Sequence, residues 1–178
     1  MDDLYKNCPV FETQNFMLRL VSEDDAIDLL GCYSDTKAQQ FFNTDGFPKD
    51  CNFNTIEEMQ SYIKFWLMEY SQGAYIRFSV VDKAVNKAIG TIEMFGMVGQ
   101  YKTEIGILRI DISSAYENKP HLKELLKVCI DNFYDLFEVK GIATKAISQA
   151  SNRIAVLTEA GFKPGEFNGR PNYFLHWK

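Results

Sequence analysis

The sequence has few of the residues that hold metal ions or cross-link a small fold. It contains two histidines and four cysteines, and no two cysteines form a C-x-x-C pair. Structural zinc sites need closely spaced Cys and His ligands, and disulfide frameworks need many cysteines in a short chain. We therefore expect no metal site and no disulfide bonds, and we interpret the protein as one of a reducing, cytoplasmic compartment.

Long apolar runs and an excess of positive charge are also missing. No apolar run approaches the roughly 20 residues that span a bilayer, and the acidic N-terminal stretch lacks the apolar core of a signal peptide. Nineteen basic and 24 acidic residues give a formal net charge of −5, without a basic cluster. These absences argue against nucleic acid or a membrane as the main partner, and they leave small or cationic substrates open.

What the sequence does have is the size and apolar content of one ordinary domain. With 178 residues and 46% hydrophobic composition, the chain can bury a substantial core. We expect a single domain over residues 1–178, in which residues 1–13 form a loose N-terminal arm because Pro9 discourages regular structure.

Hydrophobic periodicity predicts the order β-α-α-β-β-β-α-β-α-β-β. The three consecutive strands in the middle are joined by short turns, which predicts an antiparallel meander. Thr55 and Glu58 form a capping box that predicts the start of the second helix. The connection before that helix, 34–54, is irregular, and we interpret it either as a loop that lines a cleft or as a partly helical segment.

The most informative stretch is a predicted strand, 104–112, followed by a polar loop, 113–119, and an amphipathic helix. Pro120 suits the first position of that helix, where its missing N–H costs little. The first N–H groups of a helix are unpaired and the helix dipole is positive there, so a join of this kind can bind a phosphate. Because every α/β domain has several such joins and most bind nothing, the join alone assigns no function.

The C-terminal part of the chain continues with a predicted strand at 141–148 and a last helix at 154–160. Ser151 or Asn152 would cap that helix. The remaining residues predict two strands around a turn at Asn168–Gly169.

Several short patterns stand in order along this chain. The first is an entry pattern, in which Phe11-Glu12-Thr13 leads into residues 16–20 and 23–26. The second is Ala88-Ile89-Gly90-Thr91-Ile92, and the third is Glu159-Ala160-Gly161-Phe162. Their order and spacing resemble the GNAT superfamily of acyl-CoA-dependent N-acyltransferases, especially the branch that includes ribosomal-protein N-terminal acetyltransferases. The resemblance implies an α/β (α+β) three-layer fold, with a mixed, mostly antiparallel central sheet of about seven strands and helices on both faces.

The resemblance also implies acetyl-CoA as the cosubstrate. In this family a central strand with a bulge splays from the next strand, and the pantetheine arm enters the opening; here the two sides would be 108–112 and 142–148. Backbone groups that a bulge leaves unpaired can bind the amides of the arm. The implied cofactor-binding residues are Ile110, Asp111 and Ile112 on the strand, Asn118, Lys119, His121, Leu122 and Lys123 at the next helix, and Asn152 on the last helix.

The pyrophosphate loop is where the chain departs from the family pattern. Glycines are expected after Tyr116, but Asn118, Pro120 and Leu122 stand there, so no glycine lets the backbone approach a phosphate closely. Pro120 also deletes one donor. The donors that remain are the main-chain N–H groups of Lys119, His121, Leu122 and Lys123. The loop either binds pyrophosphate through these groups or no longer grips it.

Acetyl transfer to an amine needs a base, and often a proton for the departing thiolate. The family commonly uses a strand glutamate as the base, and the nearest candidates are Glu93 and Glu104. Glu93 stands in an otherwise apolar strand, where partial burial would suit a base; the alternative is a solvent-facing strand residue. The family's acid is often a tyrosine on the last helix, but Leu157 stands at that place.

Our first hypothesis is a cytoplasmic, acetyl-CoA-dependent N-acetyltransferase that acts on a primary amine of a small molecule, a peptide or a protein N-terminus. Glu93 is its candidate base, and Phe41 and Phe42 are its candidate substrate-contacting residues. The alternative is a catalytically degenerate GNAT-like ligand-binding or interaction module with a weakened pyrophosphate loop. The oligomeric state, monomer or homodimer, is left open.

Overall fold

A computed structural model describes residues 4–45 and 53–178 of the chain. The strands are β1 (Phe11–Glu12), β2 (Phe16–Leu20), β3 (Ile76–Asp82), β4 (Lys87–Met94), β5 (Ile105–Ile112), β6 (Gly141–Lys145), β7 (Lys163–Phe167) and β8 (Arg170–Trp177). The helices are α1 (Ala26–Tyr33), α2 (Thr36–Gln39), α3 (Ile56–Ser71), α4 (Lys119–Leu136) and α5 (Ser151–Glu159). None of these described helices is long and apolar enough to cross a membrane.

The strands form one mixed sheet in the order β1-β2-β3-β4-β5-β6-β8-β7. Strands β5 and β6 pair in parallel, and the other neighbouring pairs are antiparallel. The predicted mixed, mostly antiparallel sheet is therefore confirmed, with eight strands where about seven were expected. The predicted meander is β3, β4 and β5, and the turn at Asn168–Gly169 joins β7 to β8.

The additional strand comes from the N-terminal segment, so the prediction of a loose arm over residues 1–13 is wrong for its described part. Phe11 and Glu12 pair with β2. The Phe11 ring packs against the rings of Phe78 and Phe133, both at 5.9 Å between centroids. Leu4 is buried in the same core. Apolar burial of this kind outweighs the local effect of a proline.

Each face of the sheet carries its own hydrophobic core, which makes three layers. The first core packs α4 and α5 against the sheet; its helical members include Leu122, Leu126, Phe133, Val156 and Leu157. The second core packs α1, α2 and α3 against the other face; its helical members include Leu29, Tyr33, Ala38, Met59, Ile63 and Trp66. Side chains that alternate along a strand therefore enter different cores.

The helix ends follow the predicted chemistry with two corrections. Thr55 and Glu58 form the expected capping box. Asn118 caps α4, and Lys119 is the first helical residue, so Pro120 occupies the second position rather than the first. The second position also has no intrahelical partner for its N–H, and the proline costs little there.

The second helix-end correction concerns α5. Ser151 and Asn152 are helical residues rather than caps, because the Ile154 N–H already donates to the Ala150 carbonyl at 2.9 Å. The long connection 34–54 contains the short helix α2, which agrees with a partly helical segment for that portion. Residues 46–52 of the connection lie outside the described residues.

Gly90 marks a register break in the sheet. Val80 pairs with Gly90 and Val81 pairs with Ala88, so Ile89 is an extra residue on β4. The bulge that the family resemblance implied for the central strand β5 is not found where β5 pairs with β4, because residues 109–112 pair in unbroken register. Gly90 has φ +153°, and a Cβ there would lie 2.1 Å from the Asp111 carbonyl oxygen. Only glycine therefore allows β4 and β5 to approach this closely.

We expect Gly90→Ala to lower the free energy of unfolding by about 3 kcal/mol or more, because the new methyl group collides with backbone and the φ angle strains an L-residue. Gly31→Ala is the matched control. A Cβ at Gly31, inside α1, meets no heavy atom within 4 Å. That substitution should add about 0.5–1 kcal/mol through helix propensity. Urea unfolding of both variants measures the difference, and equal effects would contradict the close approach.

Candidate active site

The candidate site begins where β5 and β6 part. The parallel pairing runs from Ile105–Gly141 to Leu108–Thr144 and then stops, while β5 continues to Ile112 along β4. One edge of residues 109–112 therefore has no strand partner in β6, and its backbone groups are available to a ligand. The opening starts one residue later on β5 than the predicted 108–112, because Leu108 still pairs with Thr144, and three residues later on the β6 side, because residues 142–144 are still paired.

A narrow cleft lies at this parting, between β5, β6, α4 and α5. Its lining residues are Ile110, Leu122, Leu126, Thr144, Lys145, Arg153, Val156 and Leu157. The walls are mostly aliphatic, and the two cationic residues among them, Lys145 and Arg153, each pair with a carboxylate. Leu157, which stands where the family's tyrosine acid is expected, lines the cleft with a side chain that has no proton to donate.

The strand residues predicted to bind the cofactor divide between the two faces of the sheet. The Ile110 side chain lines the cleft, whereas Ile112 is fully buried in the first core. Asp111 points to the opposite face, where Tyr33 donates a hydrogen bond to it at 3.2 Å. Burial raises the pKa of Asp111, although the nearby Arg77 opposes this rise. Pantetheine binding by the backbone of 110–112 stays a prediction.

At the start of α4, three of the four predicted main-chain donors are already used, and the Lys123 N–H is one of them because it donates to the Lys119 carbonyl within the helix. The His121 N–H donates to Asn118 Oδ1 at 3.2 Å, and the Leu122 N–H donates to the Asn118 carbonyl at 3.0 Å. Lys119 is exposed, and Lys123 forms an exposed ion pair with Glu159 at 3.5 Å. Binding of pyrophosphate by these groups stays a prediction. The capped end of α4 has fewer free N–H donors for a phosphate than an uncapped helix end would have.

Glu93 is buried, with 2% of its surface exposed, so the interpretation as a solvent-facing strand residue is wrong. Its neighbours across the strands are Arg77 on β3 and Arg109 on β5. One carboxylate oxygen pairs with Arg77, and the other lies 3.5 Å from Arg109 Nε. Both oxygens therefore face a guanidinium group rather than an open space. The role of Glu93 as base stays a prediction.

Arg77 connects this carboxylate to the second core. It donates hydrogen bonds to Tyr33 Oη at 2.9 Å and to Thr91 Oγ1 at 3.0 Å. Its guanidinium carbon lies 4.2 Å above the centre of the Trp66 ring, a favourable cation–π distance. The other base candidate, Glu104, is exposed beside Lys140 at the end of β5 that remains paired with β6, away from the cleft.

The two phenylalanines predicted to contact substrate have different surroundings. Phe42 is buried in the second core, and its ring centre lies 5.3 Å from that of Tyr33. Phe41 is half-buried, and its carbonyl accepts a hydrogen bond from Arg153 Nη1 at 3.1 Å. Phe41 is thus held beside a residue of the cleft, whereas Phe42 packs in the core, and contact of either ring with a substrate stays a prediction.

The sequence interpretation missed a buried ion pair at the cleft, between Arg153 and Glu117. Arg153 Nε lies 3.0 and 3.1 Å from the two Glu117 oxygens, and Nη2 contacts the same carboxylate. Asn152, predicted to contact the cofactor, donates instead to the Glu117 carbonyl at 2.8 Å. A signal was present, because Arg153 precedes the buried Val156 and Leu157 by three and four residues and so lies on their stripe of α5.

Comparison with known families gives a match over most of the chain. A family model described as an acetyltransferase (GNAT) domain matches residues 15–163. The uncharacterized N-acetyltransferase YoaA of Bacillus subtilis (strain 168) is 24% identical over 99 residues, which are 55% of this chain and 52% of that protein. The chain thus spans about half the length of this curated relative.

Solved structures resemble almost the full chain. A putative ribosomal-protein-serine acetyltransferase from Vibrio cholerae has a TM-score of 0.72 at 17% identity, covering 96% of this chain and 98% of that one. A ribosomal-protein-S5-alanine acetyltransferase from Vibrio fischeri has a TM-score of 0.69 at 18% identity, covering 96% and 99%. A ribosomal L7/L12 alpha-N-protein acetyltransferase in complex with coenzyme A has a TM-score of 0.69 at 14% identity, and the match covers 95% of this chain and 98% of that one. At these identities the likeness establishes the fold.

We expect Glu93→Ala to lower the free energy of unfolding by about 3 kcal/mol, because it removes the nearer of the two carboxylates beside the buried Arg77 guanidinium and leaves Asp111, at 3.5 Å, as the other. Glu104→Ala is the control, since its pair with Lys140 is exposed and should contribute about 0–1 kcal/mol. Chemical denaturation at neutral pH measures both losses. A loss at Glu93 no larger than that at Glu104 would contradict the buried pairing.

Proposed function

This chain belongs to the family of acetyltransferase (GNAT) domains, and on that premise we propose that it is an acetyl-CoA-dependent N-acetyltransferase. Its acceptor would be a primary amine of a small molecule, a peptide or a protein N-terminus. The observation that carries the proposal is the parting of β5 and β6 after Leu108–Thr144, which opens a cleft beside an unpaired strand edge. The relatives with solved structures include ribosomal-protein acetyltransferases, which makes a protein N-terminus one reasonable acceptor.

The residues around the cleft suit the chemical parts of acetyl-CoA. The free edge of 109–112 offers backbone donors and acceptors to the two amides of the pantetheine arm. Leu122, Leu126 and Val156 offer aliphatic walls to its methylene groups. A main-chain N–H at this edge would stabilise the negative charge that develops on the thioester oxygen during transfer. When bound, acetyl-CoA supplies the activated acetyl group.

The acceptor would approach from the sheet face opposite the α4–α5 core, where one loop residue contacts both diverging strands. The Asp45 carboxylate accepts hydrogen bonds from Lys145 Nζ at 2.7 Å and from Tyr173 Oη at 3.1 Å. Its main-chain carbonyl accepts one from Arg109 at 2.7 Å. Burial favours a raised pKa of Asp45, but Lys145, Tyr173 and Arg170 together offset it and the pKa is lowered. Asp45 and the neighbouring Phe41 are therefore our candidates for shaping the acceptor site.

We propose that Glu93 accepts the amine proton through a water molecule rather than directly. Direct contact is disfavoured because its oxygens face Arg77 and Arg109 and the side chain is buried. A base within reach through one water satisfies the geometric requirement for general base catalysis. Leu157 cannot protonate the leaving thiolate, and a thiolate is stable enough to leave without that proton.

A second candidate function is a GNAT-like module that binds a ligand or partner without catalysis. The observation that favours it is the junction of the loop before α4 with α5, where Glu117 pairs with Arg153 at the cleft. The absence of glycine from 113–119 and of a tyrosine at position 157 points the same way.

Titration calorimetry with acetyl-CoA tests the acetyltransferase proposal at its first step. We expect saturable binding, and we expect the unfolding temperature to rise with ligand concentration, because a ligand at 100 times its Kd stabilises a folded protein by about 2.7 kcal/mol. AMP serves as a control ligand that lacks the pantetheine arm. No heat of binding at millimolar acetyl-CoA would exclude the proposal.

Transfer activity separates the two candidate functions. Against a panel of amines and N-terminal peptides, we expect Glu93→Gln to lower kcat by about 100-fold or more while acetyl-CoA binding is retained, since general base catalysis contributes about 10²–10⁴-fold. Glu104→Gln should leave kcat unchanged. A folded Glu93→Gln variant with wild-type kcat would remove Glu93 from the mechanism, and no transfer to any acceptor would favour the second candidate.

A further inference from the structure

Arg153 and Glu117 meet at the cleft, beside the start of α4, the helix end that the sequence predicts as a phosphate site. Glu117 lies between a short 3₁₀ turn, Ser114–Tyr116, and Asn118, the N-cap of α4. Arg153 is the third residue of α5 and lines the cleft. The ion pair thus joins the loop after β5 to the helix after β6, across the opening between these two strands.

The contact between Arg153 and Glu117 is shielded from water, and all three guanidinium nitrogens of Arg153 have a hydrogen-bond acceptor. Both side chains are 8% exposed. Arg153 Nε and Nη2 face the Glu117 carboxylate, and Nη1 donates to the Phe41 carbonyl at 3.1 Å. Asn152 Nδ2 binds the main-chain carbonyl of Glu117 at 2.8 Å. A guanidinium fork in this arrangement is suited to a carboxylate and to a phosphate alike.

The other anion-binding groups of this region are weak by comparison. Asn118 occupies the His121 N–H, and Pro120 has no N–H to offer. The Lys123 ammonium is exposed and shared with Glu159, so water and salt reduce its attraction for a phosphate. Arg153 is the more deeply buried of the two cationic residues that line the cleft, the other being Lys145. The attraction of Arg153 for a phosphate would therefore be weakened less by the surrounding water than that of Lys145.

From this arrangement we propose that Arg153 is the residue that binds a phosphate of CoA in this chain, and that Glu117 occupies its guanidinium until the phosphate displaces it. The inference rests on the proposed function, because it takes CoA as the ligand. The loop 113–119 has no glycine whose main-chain N–H could approach a phosphate closely, so the side chain of Arg153 neutralises the phosphate charge in its place. Glu117 acts as an internal competitor, so its carboxylate weakens CoA binding while it stabilises the empty site.

Calorimetric titration of the intact protein with CoA tests the competition. Glu117→Gln keeps the shape of the side chain and the hydrogen bond of the main-chain carbonyl with Asn152, but it removes the competing negative charge. We expect this variant to bind CoA about tenfold more tightly, because a charge-assisted hydrogen bond to Arg153 is roughly twice as strong as the neutral one that replaces it. Arg153→Met should weaken CoA binding by about tenfold or more, and Arg153→Lys should give an intermediate value because it keeps the charge without the fork. Thermal unfolding identifies variants that fold, and Arg153→Lys serves if Arg153→Met does not.

Two controls isolate the phosphate contact. Glu159→Gln removes one negative charge from an exposed ion pair on α5, and it should change CoA affinity by less than about twofold. Pantetheine, which carries no phosphate, should bind the wild type and Glu117→Gln equally. Dephospho-CoA, which keeps the pyrophosphate but lacks the 3′-phosphate, shows which phosphate responds: a retained gain assigns the pyrophosphate, and a lost gain assigns the 3′-phosphate.

Weaker CoA binding by Glu117→Gln would overturn the inference, because the pair would then be a brace that the loop needs. An equal gain for pantetheine would also overturn it, since the variant would have loosened the cleft rather than freed a charge. If neither the wild type nor Glu117→Gln binds CoA, the proposed function fails together with the inference. If the wild type binds CoA and the variant effects are absent or reversed, the inference alone fails.

Discussion

The parallel pairing of β5 and β6 is the constraint on which the rest of this structure depends. Parallel neighbours need a long crossover, and α4 provides it and is placed on one face of the sheet. Because the pairing ends at Leu108–Thr144, the two strands diverge toward the start of that same helix. The position and the short length of the β5–β6 hydrogen-bond ladder thus determine where the cleft, its aliphatic wall and the loop beside it lie.

The opposite face is organised by buried charge rather than by aliphatic packing alone. Arg77 bridges β3, β4 and α1 through Glu93, Thr91 and Tyr33. Charges buried this deeply cost free energy unless each is paired, so the strands must keep the register that brings them together. The unbroken pairing of Glu93 with Arg109 then transmits this register to β5, the strand that forms one side of the cleft. The position of the candidate base Glu93 and the sheet alignment are consequently linked through the same side chains.

Local patterns in the sequence predicted the elements well, because strands and helices here follow their hydrophobic periods. The capping box at Thr55 and the meander were accessible from residue types and spacing, whereas the parting of β5 and β6 was implied only by the family resemblance and begins after Leu108. The failures have long-range causes. The docking of Phe11 depends on rings 67 and 122 residues away in the chain. The role of Glu117 depends on Arg153, 36 residues later, and no local pattern connects them.

The two outer strands of the sheet have a consequence for how another polypeptide can approach. At one border, β1 is only two residues long. At the other, β7 begins with Lys163 and Pro164, and its pairing with β8 shifts register between Gly165 and Phe167. A short strand, a proline without an N–H and an irregular edge all discourage a visiting chain from adding itself to the sheet. Neither border of the sheet therefore offers another polypeptide a long, regular strand with which to pair.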